Sequence, residues 1–479
     1  MQPERYAFFA LVETPAQPAA RFFLGVLGKT KNLVYNTYLG KEALVMNFDT
    51  DGMRKRRSQK NEERQQRLQQ QKKLMQRILA AVAILIGCAI LIFFVPWSKY
   101  ENGPDQTEPT QTEPIQTGTD VTEPVVETTK EESSRDPYTV IHIAAAGDLN
   151  VTDKLVASGG ITFDFSQMFL DVIPLLTDAD YTLLNFEGIL CGSPYGSQLG
   201  SAPPQVLTAL QNAGVDMLQV ANSKIINNGM YGLETTLQSI RNAGLQSLGA
   251  YTTNKEYRDS GGYVIQEIDG IRVAFVAFTK GMDGMALPEG SEDCVNLLYE
   301  DYASNYKKVN TTKIKRVLRN AANQNPDIII AMVHWGSEYN DAHSATQESI
   351  KNLLFDNGVD AIIGSHPHYV QEMELRSDGT FIAYSLGDFI SDAERAGTEY
   401  SVVLNLEITR DNLSGETKIT NYEYTPIFTA SDEKGVLRVL RLREGIKAYE
   451  AGHVNRVTKE VYEQMLYALK RVDERAKGE

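Results

Sequence analysis

Cysteine is scarce in this chain: 479 residues hold three, Cys88, Cys191 and Cys294. No Cys-x-x-Cys spacing occurs, which excludes a disulfide scaffold and a thiolate metal or redox motif. Cys88 falls in an apolar run, and the positions of Cys191 and Cys294 leave open whether those two pair. Positive charge is also in deficit, with 47 Lys and Arg against 62 Asp and Glu and a net charge of -15. Proteins that hold nucleic acid carry a basic footprint, so this balance excludes that class of partner. Histidine is rare as well, six in all, yet two stand one proline apart in IIGSHPHYVQ, residues 362–371.

The positive charge that exists is unevenly placed. Residues 54–77 carry ten Lys and Arg, and the eighteen residues 78–95, ILAAVAILIGCAILIFFV, carry no charge. A run of that length suits a bilayer crossing, and a buried core helix would show a polar face. The basic flank before the run keeps the N-terminus cytoplasmic, and Trp97 fits an anchor at the outer interface. The run begins 77 residues into the chain and lacks a small-residue cleavage site, which argues against a removed signal peptide. Residues 101–136, rich in Thr, Glu and Pro, bury too little apolar surface to fold and read as an acidic spacer.

The expected organisation is therefore a cytoplasmic N-terminal region with a basic juxtamembrane helix (1–77), a transmembrane helix (78–97), a disordered stalk (98–136) and an extracellular domain (137–479). The expected location is the cell membrane, single-pass. Residues 1–50 are aromatic and apolar without clean periodicity, which leaves open a small module or a few strands. Residues 58–77 read as a charged helix against anionic lipid.

Beyond residue 137, apolar runs alternate with amphipathic stretches. TVIHIAAAGDLN, YTLLNFEG, VDMLQVAN, IRVAFVAFT, DIIIAMVHWG and VDAIIGSHPH read as buried strands. PPQVLTALQNAG, GLETTLQSIRNAG and TQESIKNLLFDNG read as helices stopped by glycine. This alternation predicts an α/β fold with a parallel or mixed sheet. After residue 370 the texture changes to hairpins with Asp-Gly and Ser-Gly turns, and a charged helix over roughly 455–476 closes the chain.

Polar residues stand where the strands finish: Asp148, Glu187, Asn222 with Ser223, His334, and His366 with His368. Ligands gather beyond the carboxyl ends of strands in open α/β sheets. Singly, each has a plain structural reading, Asp148 as a helix cap and Glu187 as a turn residue. Together, carboxylate, imidazole and amide oxygen suit Mn, Fe or Zn better than Ca or Mg.

AAAGDLN, LLNFEG, VDMLQVANSKIINNGMYGLETTL, MVHWGSEY, VDAIIGSHPHYVQEME and IAYSLGDFI, in order from about 139 to 391, resemble the CapA capsule-synthesis family, also described as poly-γ-glutamate biosynthesis proteins. The resemblance implies a metallophosphoesterase-like α/β/β/α sandwich, here preceded by a single transmembrane helix, and a site for divalent metal. It implies Asp148, His334, His366 and His368 as metal ligands, with Glu187 as the bridging carboxylate. Ser223 stands where the family has a ligating Asn and is expected there as a poorer metal ligand, Lys224 stands where it has His, and Asn227 where it has Asp. A lysine ammonium cannot ligate, so one ion rather than two is expected, and Lys224 would instead steady a transferring phosphoryl group. Asp388, where Asn is commoner, is expected near Lys224 as a compensating carboxylate and as its catalytic companion. Asn222, Trp335, Glu338 and Tyr339 are expected on the substrate, with Trp335 walling the site.

The function so implied is assembly, export or anchoring of an anionic surface polymer of the poly-γ-glutamate type, with metal-dependent hydrolase activity left open by Ser223 and Lys224. The alternatives are a catalytically silent envelope or polymer-binding relative and an ordinary extracytoplasmic phosphatase. The expected partners are that polymer or its synthesis and export machinery, and the membrane.

Overall fold

The structure, a computed structural model, describes residues 136–432, 434–453 and 457–478, together with the backbone of 10–12, 22–26, 32–37 and 44–47. The expected transmembrane helix and basic juxtamembrane helix, and the stalk up to residue 135, lie outside the described residues. Among the described residues no helix is long and apolar enough to cross a membrane. The chain forms two units, 1–129 and 130–479.

In the first unit, β1 (Ala10–Val12), β2 (Phe22–Val26), β3 (Asn32–Thr37) and β4 (Leu44–Asn47) pair in that order as an antiparallel sheet. The described backbone within residues 1–50 is that of paired strands.

The second unit is built on two sheets. The chain enters on β5 (Tyr138–Asn150), whose length the run TVIHIAAAGDLN already marks. Two short helices, α1 (Asp153–Ser158) and α2 (Ile173–Thr177), lead to β6 (Tyr181–Glu187), which pairs parallel to β5. Helix α3 (Gln205–Ala213), β7 (Met217–Gln219), α4 (Gly229–Asn242) and β8 (Gln246–Leu248) continue the parallel alternation. Helix α3 ends at Gly214, whose left-handed φ of 107° suits a residue without Cβ. Helix α4 ends just before Gly244.

After α5 (Asn254–Ser260), the chain builds a second sheet. Strands β9 (Tyr263–Ile268) and β10 (Ile271–Thr279) form a hairpin, followed by α6 (Thr311–Ala322), β11 (Ile328–His334), α7 (Ala345–Phe355) and β12 (Ala361–Ser365). Helix α7 opens with a reciprocal Ser344–Gln347 capping box. The hairpin β13 (Met373–Leu375) and β14 (Phe381–Ala383) turns at Asp378-Gly379 and completes the order β13-β14-β12-β11-β10-β9.

The chain then returns to the first sheet. Strand β15 (Asp388–Ile390) pairs with β5, and β16 (Tyr400–Asp411), β17 (Thr417–Ser431) and β18 (Leu437–Arg441) extend its other edge antiparallel. Helices α8 (Leu442–Glu450) and α9 (Lys459–Ala476) close the unit, so the charged helix expected near 455–476 is present.

Alternation along the second sheet separates two cores. Val273, Phe275, Ile330, Met332 and Ile363 face the first sheet and join its core, where Phe275 stacks on Tyr181 at 5.4 Å. Val276, Phe278, Ala331, Val333 and Ile362 point the other way and are covered by Ile314, Val317 and Leu318 of α6 and by Ile350 and Leu354 of α7. The fold is thus mixed α/β with sheet packed on sheet, and the carboxyl ends of β5, β6, β10, β11 and β12 carry the residues described next. Cys191 and Cys294 are both free thiols.

Candidate metal centre

Asp148 lies within β5 rather than capping a helix; the cap of α1 is Thr152. A register shift between Ala146 and Asp148 turns its carboxylate out of the ladder. Oδ1 accepts from Asn185 Nδ2 at 2.7 Å and Oδ2 from the His366 backbone N–H at 3.0 Å, with the residue fully buried. Glu187 ends β6, also buried. Its Oε1 accepts a short hydrogen bond from the Ser223 hydroxyl, and its Oε2 lies 3.3 Å from His334 Nε2.

His334 ends β11, with Nδ1 3.3 Å from Thr279 Oγ1. His366 and His368 follow β12, both with left-handed φ, 94° and 60°, so that both rings turn inward on either side of Pro367. The His334 and His366 rings are 4.5 Å apart. His368 Nδ1 is 2.8 Å from Asp388 Oδ1 and 3.7 Å from Asp148 Oδ2.

The structure therefore gathers residues that lie up to 240 positions apart in sequence. Glu187, His334 and His366 bring ligand atoms within 4.8 Å of one another, and so do Asp148, His368 and Asp388, and Glu338, His366 and His368. Mixed imidazole and carboxylate suits a borderline divalent ion. The donor set tests the fit: Asp148, His368 and Asp388 are all buried and bring two carboxylates and an imidazole within reach of a common ion, the mix a borderline divalent metal takes. By that measure the residues present fit a divalent metal.

The electrostatics agree. Burial pushes the Asp388 carboxyl up to about 7, against the pull of His368. Burial and the neighbouring Glu187 also raise Asp148, although His368, His334 and Asn185 oppose them. Burial would raise Glu187 too, but the adjacent His334, with His368 and His366, outweighs it and holds the group well below the usual carboxylate range. Burial lowers His366, and His334 and Lys280 add to that. For His368 burial acts downward, yet Asp388 prevails and holds the imidazole well above its ordinary value.

Several expected residues sit elsewhere. Lys224 does not meet Asp388: its Nζ pairs with Asp283 at 2.6 Å, half out in solvent, and burial, which would lower it, is outweighed by that partner. Asp388 instead serves His368. Trp335 does not wall the site. Adjacent strand residues face opposite sides of a sheet, so with His334 turned to the inner face, Trp335 enters the outer core, donates Nε1–H to Tyr384 O at 2.9 Å and is fully buried. Asn222 is buried with its amide N–H groups on Asn185 Oδ1 and Phe186 O and its Oδ1 on the Lys224 N–H, so it braces the strand ends and does not face the cleft. Asn227 is similarly spent on Leu199 O. Ser223, Glu338 and Tyr339 do border the cluster. Tyr339 stacks on His368 at 5.3 Å and carries the Arg395 guanidinium on its ring at 4.0 Å.

Among the neighbours that the sequence reading does not name are Asn185 and Lys280. Asn185 stands mid-strand, with no signal beyond its polarity in an apolar run. Lys280 follows the apolar run IRVAFVAFT directly, the same strand-end position that flagged Glu187 and His334. Its Nζ donates to Gly336 O at 2.8 Å and lies 3.3 Å from His366 Nε2. Ser223, Lys280, Asp283, Tyr306, Glu338 and His366 border an open cavity of about 230 Å³ beside the cluster.

A family model described as bacterial capsule synthesis protein PGA_cap matches residues 142–393. The capsule biosynthesis protein CapA of Bacillus anthracis is 27% identical over 285 residues, covering 57% of this chain and 66% of that protein. The PGA biosynthesis protein CapA of Bacillus subtilis (strain 168) is 24% identical over 297 residues, covering 57% and 70%. A probable polyglutamine synthesis accessory protein of Mycobacterium tuberculosis (strain ATCC 25618 / H37Rv) is 27% identical over 207 residues, covering 40% and 50%. The chain thus spans about two thirds of the Bacillus relatives' length and half of the mycobacterial one's. A solved structure of a novel phosphatase from Mycoplasma pneumoniae covers 60% of this chain and 94% of its own at 12% identity, with a TM-score of 0.37, too slight a likeness to bear on the site.

Proposed function

This chain belongs to the bacterial capsule synthesis protein family, and from that membership we propose that it serves the assembly, export or anchoring of an anionic surface polymer of the poly-γ-glutamate type. In this reading it is tethered by residues 78–97, with residues 137–479 outside the cell as a metallophosphoesterase-type domain. The polymer and its synthesis and export machinery are the partners.

The observation that carries the reading is the convergence of Asp148, Glu187, His334, His366, His368 and Asp388 in one buried cluster. Asp148, His368 and Asp388 would hold a divalent ion, with Glu187, His334 and His366 beside them. A bound divalent ion supplies Lewis acidity at a carbonyl or phosphoryl oxygen and an acidified water. The chain's own side chains do the rest. Tyr339 stacks on the His368 ring, and Asn185 and the His366 N–H aim the Asp148 carboxylate. Metal analysis of the full chain after exposure to Mn²⁺ or Zn²⁺ tests this: bound ion in the wild type, lost in Asp148→Asn and His368→Ala, is the expected result. No bound ion in the wild type refutes it.

One observation favours a silent relative that only binds the polymer. The Ser223 hydroxyl is engaged with Glu187, and Lys224 is turned out to Asp283, so neither is free to act on a substrate. A phosphodiester and γ-glutamyl amide hydrolysis assay of the metal-loaded chain separates the readings: turnover in the wild type removes the silent one, and turnover that appears only in Lys224→His supports it.

A further inference from the structure

The two principal ligand groups of the centre are not electrostatic equals. Asp148, His368 and Asp388 bring two carboxylates, whereas Glu187, His334 and His366 bring one. The poorer group also faces a cation. Lys280 Nζ lies 3.3 Å from His366 Nε2, is held by Gly336 O at 2.8 Å, and rests 4.7 Å from the centre of the Tyr306 ring. Two carboxylates line the same cavity, but Asp283 is paired with Lys224 at 2.6 Å and Glu338 is exposed to solvent, which screens its charge. The ammonium is thus fixed by a carbonyl and an aromatic face and directed at the imidazole.

That contact opposes an ion in two ways. A divalent ion among Glu187, His334 and His366 would keep excess positive charge after meeting a single carboxylate, directly beside another positive charge. The hydrogen bond adds a second obstacle. An ammonium only donates, so His366 Nε2 must accept, and the ring proton is placed on Nδ1. Nδ1 is the buried nitrogen without a partner, and it can ligate only if that proton moves to face Lys280.

We infer that Lys280 sets the metal stoichiometry of this centre: its ammonium stands in for a second cation beside Glu187, His334 and His366, leaving Asp148, His368 and Asp388 to take the single ion. The inference rests on reading the cluster as a metal centre. Lys280 is a positioning residue here, acting through His366 and through charge.

The test is Mn²⁺ binding to the full-length chain by calorimetric titration, with electron paramagnetic resonance of the loaded protein. Wild type is expected to bind one Mn²⁺ per chain with the spectrum of an isolated ion. Lys280→Met keeps the aliphatic stem on Tyr306 while removing the charge; it is expected to bind a second Mn²⁺ at least about tenfold more tightly than wild type does and to show a spin-coupled pair. Lys280→Arg is expected to remain at one ion, which a loss of packing alone would not produce. Two coupled ions in the wild type overturn the role of Lys280 while leaving the metal centre intact. No ion in wild type or in either variant overturns the centre itself, and this inference with it.

Discussion

Replacing Asp388 by asparagine removes one buried negative charge while keeping an oxygen within reach of His368 Nδ1. In the wild type, burial pushes this carboxyl up to about 7 from an unfolded value of 3.8. Between those values the folded state holds a proton that the unfolded state has released, so stability is full below 3.8 and is lost as pH rises through 7. His368 acts with the same sign: its raised value, set by Asp388 against burial, gives stability present below 6.5 and lost as pH climbs past the folded value. Integrated from pH 5 to pH 8, the Asp388 shift alone corresponds to about 2–3 kcal/mol, or about 3–5 °C of melting temperature for a folded unit of this size. Melting curves of wild type and Asp388→Asn in chelator over that range should therefore diverge, the wild type losing more as pH rises. Mn²⁺ should restore the wild type at pH 8 and do little at pH 5, because its ligands must be deprotonated, and it should restore Asp388→Asn less at either pH. If the two metal-free profiles run parallel from pH 5 to pH 8, Asp388 is not a desolvated charge held for a cation.

Other substitutions probe the frame around the centre. Trp335→Ala should cost about 3–5 kcal/mol in urea unfolding yet leave metal content unchanged, because the ring fills the outer core while His334 faces the inner one. Lys224→Ala, which breaks a half-exposed ion pair with Asp283, should alter stability by less than about 1 kcal/mol and leave metal content as it is; loss of metal would mean that Lys224 reaches the cluster. Gly147→Ala would place a Cβ 1.7 Å from the Gly387 carbonyl oxygen, which accepts the Asp148 N–H. Overpacking of this kind costs about 1–3 kcal/mol, and here it should lower metal content as well, since Asp388 rides on the displaced segment.

Which parts of this architecture the chain announces follows from the range of the interactions involved. Strands β5, β6, β10, β11 and β12 are buried on both faces, so their runs of Ile, Val, Ala and Phe are continuous and readable. Helix α6 was not legible. Its sequence TTKIKRVLRNAA carries four charges in twelve residues, and its buried residues are Lys313 and the stripe Ile314, Val317, Leu318 and Ala321, the stripe lying against the outer face of the second sheet. The strand-end rule draws attention to Glu187, His334 and His366, which the structure brings together: β11 and β12 are parallel neighbours in one sheet, and β6 of the other sheet ends beside them. It gave no pairings, and that is where the reading of Lys224 failed. Its carboxylate comes from Asp283, 59 residues on, in a loop whose path depends on where β10 ends. Trp335 could have been placed from the sequence itself, since a neighbour of an inward His334 on the same strand end faces outward.

The glycines beside the chemically active residues explain why such short motifs can be so specific. Gly147 precedes Asp148, and a Cβ there would strike the Gly387 carbonyl, one residue before Asp388. Gly364 comes two residues before His366, and a Cβ there would lie 2.0 Å from the Tyr384 carbonyl oxygen and 2.7 Å from Trp335 Nε1. Both lie on strands, so what they supply is close approach of one backbone to another. At the first contact β5 is drawn against β15, and the Asp148 and Asp388 carboxylates are brought to the same imidazole. At the second, the end of β12 is drawn against the segment after β14, and the His366 N–H comes to meet Asp148 Oδ2. A carboxylate pair buried around His368 resists its own charge, so it needs backbone that cannot move apart to let water in. The interlocked glycine contacts provide that restraint, and for this reason Gly-Asp and Gly-Ser-His-Pro-His act in this chain as joints as much as ligand motifs.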